Sequence, residues 1–165
     1  MGSKFFTKSS HEDDIKKLNI SYHKNINDVL RESFNSISIY DKDRVHFGKM
    51  DVVSYLNIKP FLVIVDNKLL KIGCVSSVAT IPFFRGNGYA TDLLNYILDW
   101  MEKENFDYAM LKANNRKLYN KVGFEIVDYA EIRDFLIMVK KIRKNAPNIK
   151  SPQNIEMWKN LINKF

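Results

Sequence analysis

A glycine-bearing turn within residues 78–91, Val-Ala-Thr-Ile-Pro-Phe-Phe-Arg-Gly-Asn-Gly-Tyr-Ala-Thr, carries the strongest chemical signal in the chain. An apolar strand leads into the turn, which holds Arg85, Gly86 and Gly88, and an amphipathic helix begins near Tyr89. Backbone N–H groups at the start of a helix converge where the helix dipole is positive, so this layout predicts an anion site. Glycines let a backbone approach phosphates closely because they carry no Cβ, and pyrophosphate would suit the site.

The residues around the glycines exclude the two commonest phosphate-binding loops. A P-loop needs a Lys-Ser or Lys-Thr pair after its second glycine, whereas Tyr-Ala follows Gly88. A Rossmann fingerprint, G-x-G-x-x-G, needs a third glycine three residues after Gly88, where Thr91 stands. What remains is the pattern R-x-x-G-x-A, which begins at Arg85.

That pattern resembles the acetyl-CoA pyrophosphate loop of the GNAT acetyltransferases, written R/Q-x-x-G-x-G/A. Thr80-x-Pro82 and the Gly-Tyr-Ala-Thr at 88–91 resemble the turn and helix start of the same family. Further along, Leu-Tyr-Asn-Lys-Val-Gly-Phe at 118–124 resembles the LYxKxGF segment of the family. The resemblance covers roughly residues 60–140 and is specific, because two motifs occur in the right order at the right distance.

The resemblance implies that acetyl-CoA is a co-substrate bound by the turn and by the strand before it. The backbone of the strand end would pair with the pantetheine arm in the manner of an added strand. The implied cofactor-binding residues are Val78, Ala79, Thr80, Arg85, Gly86, Asn87, Gly88, Tyr89, Ala90, Thr91 and Asn115. No metal is implied, and no Cys/His cluster has metal-ligand spacing.

Tyr119 stands where the family keeps its catalytic tyrosine. Acetyl transfer to an amine moves two protons, because the amine must lose one and the departing CoA thiolate must gain one. A phenol with a pKa of about 10 is protonated at neutral pH and can serve a thiolate whose thiol has a pKa of about 8.5. The resemblance therefore implies that Tyr119 is the catalytic acid, and the alternative is that it packs as an ordinary helix aromatic.

The group that would take a proton from the amine stays open at this point. Many family members carry a glutamate on the strand before the turn, but residues 69–80 contain neither Asp nor Glu. The usual asparagine seven residues before the tyrosine is Lys112 here, with Asn114 and Asn115 close by. Candidate bases elsewhere are His23, His46, Asp51 and Glu32. A substrate amine that arrives neutral would need no base.

The elements that hold these residues are predicted from hydrophobic periodicity and turn residues. In the second half of the chain, helices are predicted over 89–103 and 115–121, and strands over 108–111, 125–128 and 134–142. In the middle, strands over 61–65 and 69–80 flank a hairpin turn at Asp66-Asn67.

The first third of the chain has a weaker pattern. A strand is predicted over 15–23, and Asn27 could cap a short helix. The segment 41–57 is ambiguous, since Met50, Val53 and Leu56 have helical spacing, and Lys59-Pro60 is expected to end it. About fifteen residues separate Asn67 from Pro82, where the family usually fits two strands, so either the hairpin is shortened or the strand count differs by one.

This order of elements predicts an α+β (mixed α/β) fold. The resemblance implies a GNAT-like fold, in which helices flank a central, mostly antiparallel, twisted sheet. We expect the GNAT-like domain over residues 1–145, and a polar linker and an appended amphipathic helix over 146–165. Ser151 and Pro152 should start that helix, and its apolar face, which should dock on its own domain or on a second copy, consists of Ile155, Trp158, Leu161, Ile162 and Phe165.

Composition narrows the class of protein. A chain of 165 residues with 45% hydrophobic content fits one globular domain, and no apolar run has the length of a membrane span. Cys74 is the only cysteine, which fits a reducing cytoplasm and a place in the core. The net charge of +7 suits attraction of polyanionic CoA, and a nucleic-acid-binding protein is the less favoured interpretation.

The sequence thus predicts an acetyl-CoA-dependent N-acetyltransferase that moves an acetyl group directly to a primary amine of a small molecule or a protein. The alternative is a GNAT-fold module that binds acetyl-CoA as a sensor or interaction domain without catalysis. Release of free CoA in the presence of an amine would separate the two. We expect a monomer or homodimer with no membrane partner.

Overall fold

The computed structural model describes residues 4–7, 36–46, 49–132, 135–149 and 154–164, and it describes side chains within 54–127, 135–149 and 154–164. These residues form seven strands and three helices. The strands are β1 (Lys4–Thr7), β2 (Ser36–His46), β3 (Lys49–Val65), β4 (Lys68–Thr80), β5 (Tyr108–Ala113), β6 (Glu125–Ile132) and β7 (Phe135–Lys141). The helices are α1 (Tyr89–Lys103), α2 (Arg116–Lys121) and α3 (Ile155–Ile162), and a 3₁₀ turn spans Pro82–Phe84.

The chain divides into two compact units. The first unit comprises Met1–Ile58 and Ser77–Tyr96, and the second comprises Lys59–Ser76 and Ile97–Phe165. In the first unit β2 pairs antiparallel with both β1 and β3. Its ladder with β3 runs from Ser36 opposite Asn57 to His46 opposite Lys49. Register shifts interrupt the β2–β3 ladder around Tyr40.

The second unit contains the parallel step of the sheet. Here β4 pairs parallel with β5, from Ile72 opposite Tyr108 to Cys74 opposite Met110, and β7 pairs antiparallel with both β5 and β6. Hydrogen-bonded neighbours follow the order β1-β2-β3-β4-β5-β7-β6. The α+β class and the mostly antiparallel sheet with flanking helices are therefore confirmed.

The hairpin turn at Asp66-Asn67 is confirmed, but the segment before it differs from the expectation. Both turn residues have positive φ, 49° and 60°, which a two-residue turn between antiparallel strands favours. The segment 41–57 is ambiguous in sequence, and the structure resolves the ambiguity around Met50, Val53 and Leu56, because all three residues belong to β3. The strand that precedes β4 thus lies before Asn67, which accounts for the short interval between Asn67 and Pro82.

The expectation that Lys59-Pro60 ends this segment is wrong, because Pro60 lies inside β3. Proline donates no hydrogen bond, so it is tolerated in a strand where a ladder does not need its N–H. The described pairing of β2 with β3 reaches only Asn57, and Pro60 lies beyond it. The strand predicted over 15–23 and the helix capped by Asn27 lie outside the described residues.

The core of the second unit includes the C-terminal helix. Trp158, Leu161 and Ile162 are buried with residues of β4, β5 and β7. The Trp158 indole Nε1 donates to the Ile149 carbonyl at 2.9 Å, and its ring meets that of Tyr108 edge-on at 5.7 Å. Docking of this helix on its own chain is therefore confirmed.

The segment leading to α3 is also part of this core. Ala146 and Ile149 are buried, and the Tyr108 hydroxyl donates to the Pro147 carbonyl at 2.8 Å. The helix begins at Ile155 with Asn154 at its N-cap, whereas Ser151, Pro152 and Phe165 lie outside the described part of the chain. A domain boundary at residue 145 stays a prediction.

A buried carboxylate fixes the first residues of β5. Asp107 is 2% exposed, and its side chain accepts from the Lys71 backbone N–H at 2.8 Å and from Arg143 Nε at 2.9 Å. The Ile142 N–H donates to the Asp107 carbonyl at 2.9 Å. Since a buried charge is costly unless it is paired, Asp107 holds together the start of β4 and the segment after β7.

Candidate active site

The turn after β4 is built by a short 3₁₀ helix and an aromatic anchor. The Phe84 N–H donates to the Ile81 carbonyl at 2.9 Å, and the Arg85 N–H donates to the Pro82 carbonyl at 3.2 Å. Phe84 is buried and its ring contacts that of Tyr89 edge-on at 6.1 Å. The anchored ring leaves Arg85, and the glycines that follow it, exposed.

Both glycines of the turn have a backbone that other residues adopt at a cost. The φ angles are +82° at Gly86 and +81° at Gly88, in the left-handed region. A Cβ at either position would meet no atom within 4 Å, so the space above the turn is open. Glycine is thus required by the backbone path, and the open space admits a ligand close to the main chain.

Helix α1 begins directly at this turn. Its first intrahelical hydrogen bond runs from the Asp92 N–H to the Gly88 carbonyl at 2.9 Å. The N–H groups of residues 89–91 precede that bond and lie outside the helix's own ladder. They stand at the positive end of a fifteen-residue helix.

Two side chains stabilise the turn through hydrogen bonds to backbone carbonyls. Arg85 Nε donates to the Thr80 carbonyl at 3.1 Å, and Asn87 Nδ2 donates to the Phe84 carbonyl at 3.0 Å. Arg85 therefore ties the turn to the end of β4 as well as adding positive charge beside the amides. Asn87, which the motif leaves unspecified, also has a structural function.

The end of β4 runs beyond its ladder with β5. The described pairing covers Ile72–Cys74, and β4 continues to Thr80. The Ala79 carbonyl accepts a hydrogen bond from the Ser54 hydroxyl of β3 at 3.0 Å, so it is turned toward β3. Because the N–H and C=O of one strand residue face the same edge and those of the next residue face the opposite edge, the N–H and C=O of Val78 and Thr80 face away from β3.

In the second unit, Tyr119 lies on α2 and Asn115 directly precedes that helix. Asn115 is the N-cap, and its Oδ1 accepts from the Lys117 N–H at 3.1 Å. Tyr119 is half-buried and contacts the Phe124 ring edge-on at 6.2 Å. The Tyr119 carbonyl accepts from the N–H groups of Val122 and Phe124 at 3.2 and 3.1 Å, so the turn after α2 closes tightly on the tyrosine.

Lys140 of β7 supports the same turn. Its ammonium donates to the Val122 carbonyl at 2.7 Å. Gly123 has a φ of +88°, and a Cβ there would lie 2.6 Å from Lys140 Nζ. The glycine of the LYxKxGF-like segment is thus favoured by its backbone conformation, whereas the contact with the end of the flexible Lys140 side chain could be relieved by movement of that side chain.

The sequence-based site residues fall into two groups. Those from Val78 to Thr91 form one continuous stretch of the first unit, whereas Asn115 and Tyr119 lie in the second, at the N-cap of α2 and on α2 itself. Ser54 and Lys140 were not singled out by sequence reasoning, since neither belongs to a motif. A serine within an apolar strand, buried in spite of its hydroxyl, is the signal that could have identified Ser54.

The candidate bases and Cys74 lie in different parts of the chain. His46 lies on β2 and Asp51 on β3, with only their backbones described, and His23 and Glu32 lie outside the described residues. Burial raises the pKa of the Cys74 thiol, an effect that the charge of Lys59 only partly offsets. Cys74 therefore remains a thiol in the core, as expected, and is a poor nucleophile.

The described residues contain no group of three or more His, Cys, Asp or Glu side chains arranged to hold a metal ion. None of the helices in this part of the chain has the length and apolar character needed to cross a membrane.

Comparison with solved structures finds the same fold in several proteins of low sequence identity. The GNAT family N-acetyltransferase YhbS from Escherichia coli, solved with CoA, aligns with a TM-score of 0.69 and 18% identity over 90% of this chain and 86% of its own. The ribosomal-protein-S18-alanine N-acetyltransferase from Escherichia coli aligns with a TM-score of 0.61 and 16% identity, over 88% and 98%.

A longer protein also matches. The GCN5-related N-acetyltransferase from Kribbella flavida aligns with a TM-score of 0.62 and 14% identity over 76% of this chain, which spans only 33% of that protein. No curated protein matches this chain in sequence.

The family itself follows from the sequence match to a family model. The model described as an acetyltransferase (GNAT) domain matches residues 6–127, well over half of the chain. This stretch contains the glycine turn, the start of α1 and the segment with Tyr119. The chain therefore belongs to the GNAT acetyltransferase family.

Proposed function

We propose that this protein transfers an acetyl group directly from acetyl-CoA to a primary amine of a small molecule or a protein. The observation that carries the proposal is the turn between β4 and α1. Two glycines at positive φ, open space above them and the N-terminus of a long helix form a site suited to a pyrophosphate. The CoA that accompanies YhbS, a protein of the same fold, supports the choice of cofactor.

The proposed binding of acetyl-CoA uses the turn and the strand end together. The amides of Gly86, Asn87 and Gly88, with those of Tyr89, Ala90 and Thr91 at the helix start, would hold the pyrophosphate. The backbone N–H and C=O of Val78, which face away from β3, would pair with a pantetheine amide, as an added strand does. Asn115 would contribute its side-chain amide nitrogen, since its oxygen caps α2.

The proposed chemistry is one displacement at the thioester carbon. The neutral amine nitrogen attacks that carbon, the C–N bond forms, and the C–S bond breaks. The CoA thiolate takes a proton from the Tyr119 hydroxyl, which regains one from solvent, and the amine nitrogen loses one. No carboxylate lies on β4, so we propose that the amine enters as its neutral form or loses its proton through water.

A second function is favoured by one observation, the absence of Asp and Glu from residues 69–80. A GNAT-fold protein without a base could bind acetyl-CoA as a sensor or interaction module. In either case we propose a cytoplasmic protein acting as a monomer or homodimer, with no metal and no nucleic acid taking part.

We expect the protein to release free CoA from acetyl-CoA when a suitable amine is present. A panel of small amines and peptide amines, followed by a thiol assay, measures this directly. The rate should rise with pH as the acceptor loses its proton, because an ammonium has no lone pair, and a lysine-like amine has a pKa of about 10.4. Two acceptors of different pKa should therefore give two displaced pH profiles.

The outcomes separate the alternatives. Binding of acetyl-CoA without turnover on any amine would favour the sensor. A pH profile that stays fixed when the acceptor changes would reveal an enzyme base and contradict the neutral-amine step.

Replacement of Gly88 by Val is expected to weaken acetyl-CoA binding by roughly 10- to 100-fold, the scale of one lost hydrogen bond to a charged group. The branched side chain would occupy the open space from which the pyrophosphate approaches the backbone. Isothermal calorimetry with acetyl-CoA measures the change.

Gly88→Ala is the matched comparison for this experiment. It also places a Cβ at a φ of +81°, so it carries the cost of the left-handed backbone, but its side chain lacks the branch that would fill the open space. Equal losses of affinity in both variants would mean that backbone strain, and not blocked access, explains the result. Unchanged affinity of Gly88→Val would remove the pyrophosphate from this turn.

A further inference from the structure

Two hydroxyl groups meet at the end of β4, next to the proposed pantetheine edge. Ser54 of β3 is fully buried, and its Oγ lies 3.0 Å from the Ala79 carbonyl and 3.0 Å from Thr80 Oγ1. Thr80 is half-buried at the last position of β4. All three residues belong to the first unit.

The protons of this pair can be assigned by counting donors. A hydroxyl carries one proton, and a carbonyl oxygen only accepts. Ser54 must therefore donate to the Ala79 carbonyl. The contact between the two hydroxyls is then donated by Thr80 to Ser54 Oγ, and the Thr80 proton is committed to a buried partner.

The hydrogen bond from Thr80 to Ser54 determines whether the Thr80 hydroxyl can donate to or accept from a ligand. With its proton turned toward Ser54, Thr80 Oγ1 presents only lone pairs on its accessible side, so it can accept a hydrogen bond but not donate one. The Thr80 carbonyl already accepts from Arg85 Nε at 3.1 Å. The group that suits this position is therefore a hydrogen-bond donor, such as an N–H group.

We propose that Thr80 Oγ1 accepts a hydrogen bond from an N–H group of a bound substrate, and that Ser54 is the positioning residue that fixes this polarity. The inference rests on the proposed function. Two substrates could supply the N–H, namely the pantetheine amides of acetyl-CoA and the acceptor amine. An amide donor is shown by a change in acetyl-CoA affinity, and an amine donor by a change in the KM for the amine alone.

The first experiment removes the hydroxyl and keeps the shape. Thr80→Val is expected to weaken acetyl-CoA binding, or to raise the KM for the best amine of the panel, by roughly three- to tenfold, the scale of one neutral hydrogen bond. Thr80→Ser retains the acceptor and should restore values close to those of the wild type. Calorimetry with acetyl-CoA and steady-state kinetics with that amine give the two readouts.

The second experiment tests Ser54 through a double-mutant cycle. Ser54→Ala should weaken the same step in the wild-type background, because it frees the Thr80 hydroxyl to rotate. In the Thr80→Val background the same substitution should have no further effect on that step. The melting temperature of each variant is recorded, since loss of the buried hydroxyl is expected to lower stability in both backgrounds.

Each outcome has one meaning. If wild-type protein binds no acetyl-CoA, the proposed function itself fails. If wild-type protein binds acetyl-CoA and turns over an amine, and Thr80→Val matches it in both affinity and KM, this inference alone is overturned. If Ser54→Ala weakens binding equally in both backgrounds, Ser54 acts through the Ala79 backbone, and its assignment as the residue that fixes Thr80 is overturned.

Discussion

Replacement of Tyr119 by Phe is expected to lower turnover by roughly 10²–10⁴-fold, the usual contribution of a general acid. Phenylalanine keeps the edge-on contact with Phe124 and the closed turn after α2, so only the hydroxyl is lost. The CoA thiolate would then leave without a proton donor. Single-turnover kinetics with saturating acetyl-CoA and the best amine measure the chemical step, and calorimetry should show nearly unchanged acetyl-CoA affinity.

Tyr96→Phe is a matched control for this experiment. Tyr96 is also a half-buried helix tyrosine, on α1, and no catalytic role is proposed for it. Its variant should retain wild-type turnover. If Tyr119→Phe also retains turnover, or loses affinity and turnover in the same proportion, Tyr119 is a packing residue and the proposed acid is wrong.

Replacement of Trp158 by Ala is expected to lower the free energy of unfolding by about 3–5 kcal/mol, as large-to-small substitutions of buried aromatic residues do. The change removes a fully buried ring, its contact with Tyr108 and the hydrogen bond to the Ile149 carbonyl. Urea denaturation followed by far-ultraviolet circular dichroism measures the loss.

Asn160→Ala provides the comparison on the same helix. Asn160 is exposed on α3, so its substitution should change stability by no more than about 0.5 kcal/mol. If both variants unfold at the same urea concentration as the wild type, α3 is not docked in solution and the core assigned to the second unit is wrong.

Helix α1 could be predicted from the sequence, whereas the first part of β3 could not. Helix α1 has the predicted bounds, because Leu93, Ile97 and Met101 recur on its buried face. In β3, however, all residues from Ser54 to Ile58 are buried. Such a segment shows no alternation, so periodicity cannot distinguish a strand from a helix there.

The candidate site also has a part that could be predicted from the sequence and a part that could not. The turn was predictable because its function depends on backbone geometry, and glycine at positions 86 and 88 reports that geometry in the sequence itself. The contributions of Ser54 and Lys140 depend on contacts with Thr80 and Val122 that join distant parts of the chain. No local pattern encodes such contacts, and a motif restricted to neighbouring residues misses them.

The division into two units has a practical consequence for spectroscopy. The chain has two tryptophans, Trp100 and Trp158, and both belong to the second unit. Indole emission therefore originates in that unit, whereas the first unit, with the glycine turn, contains no tryptophan. A tryptophan introduced into the first unit would place a fluorescent probe beside the turn itself.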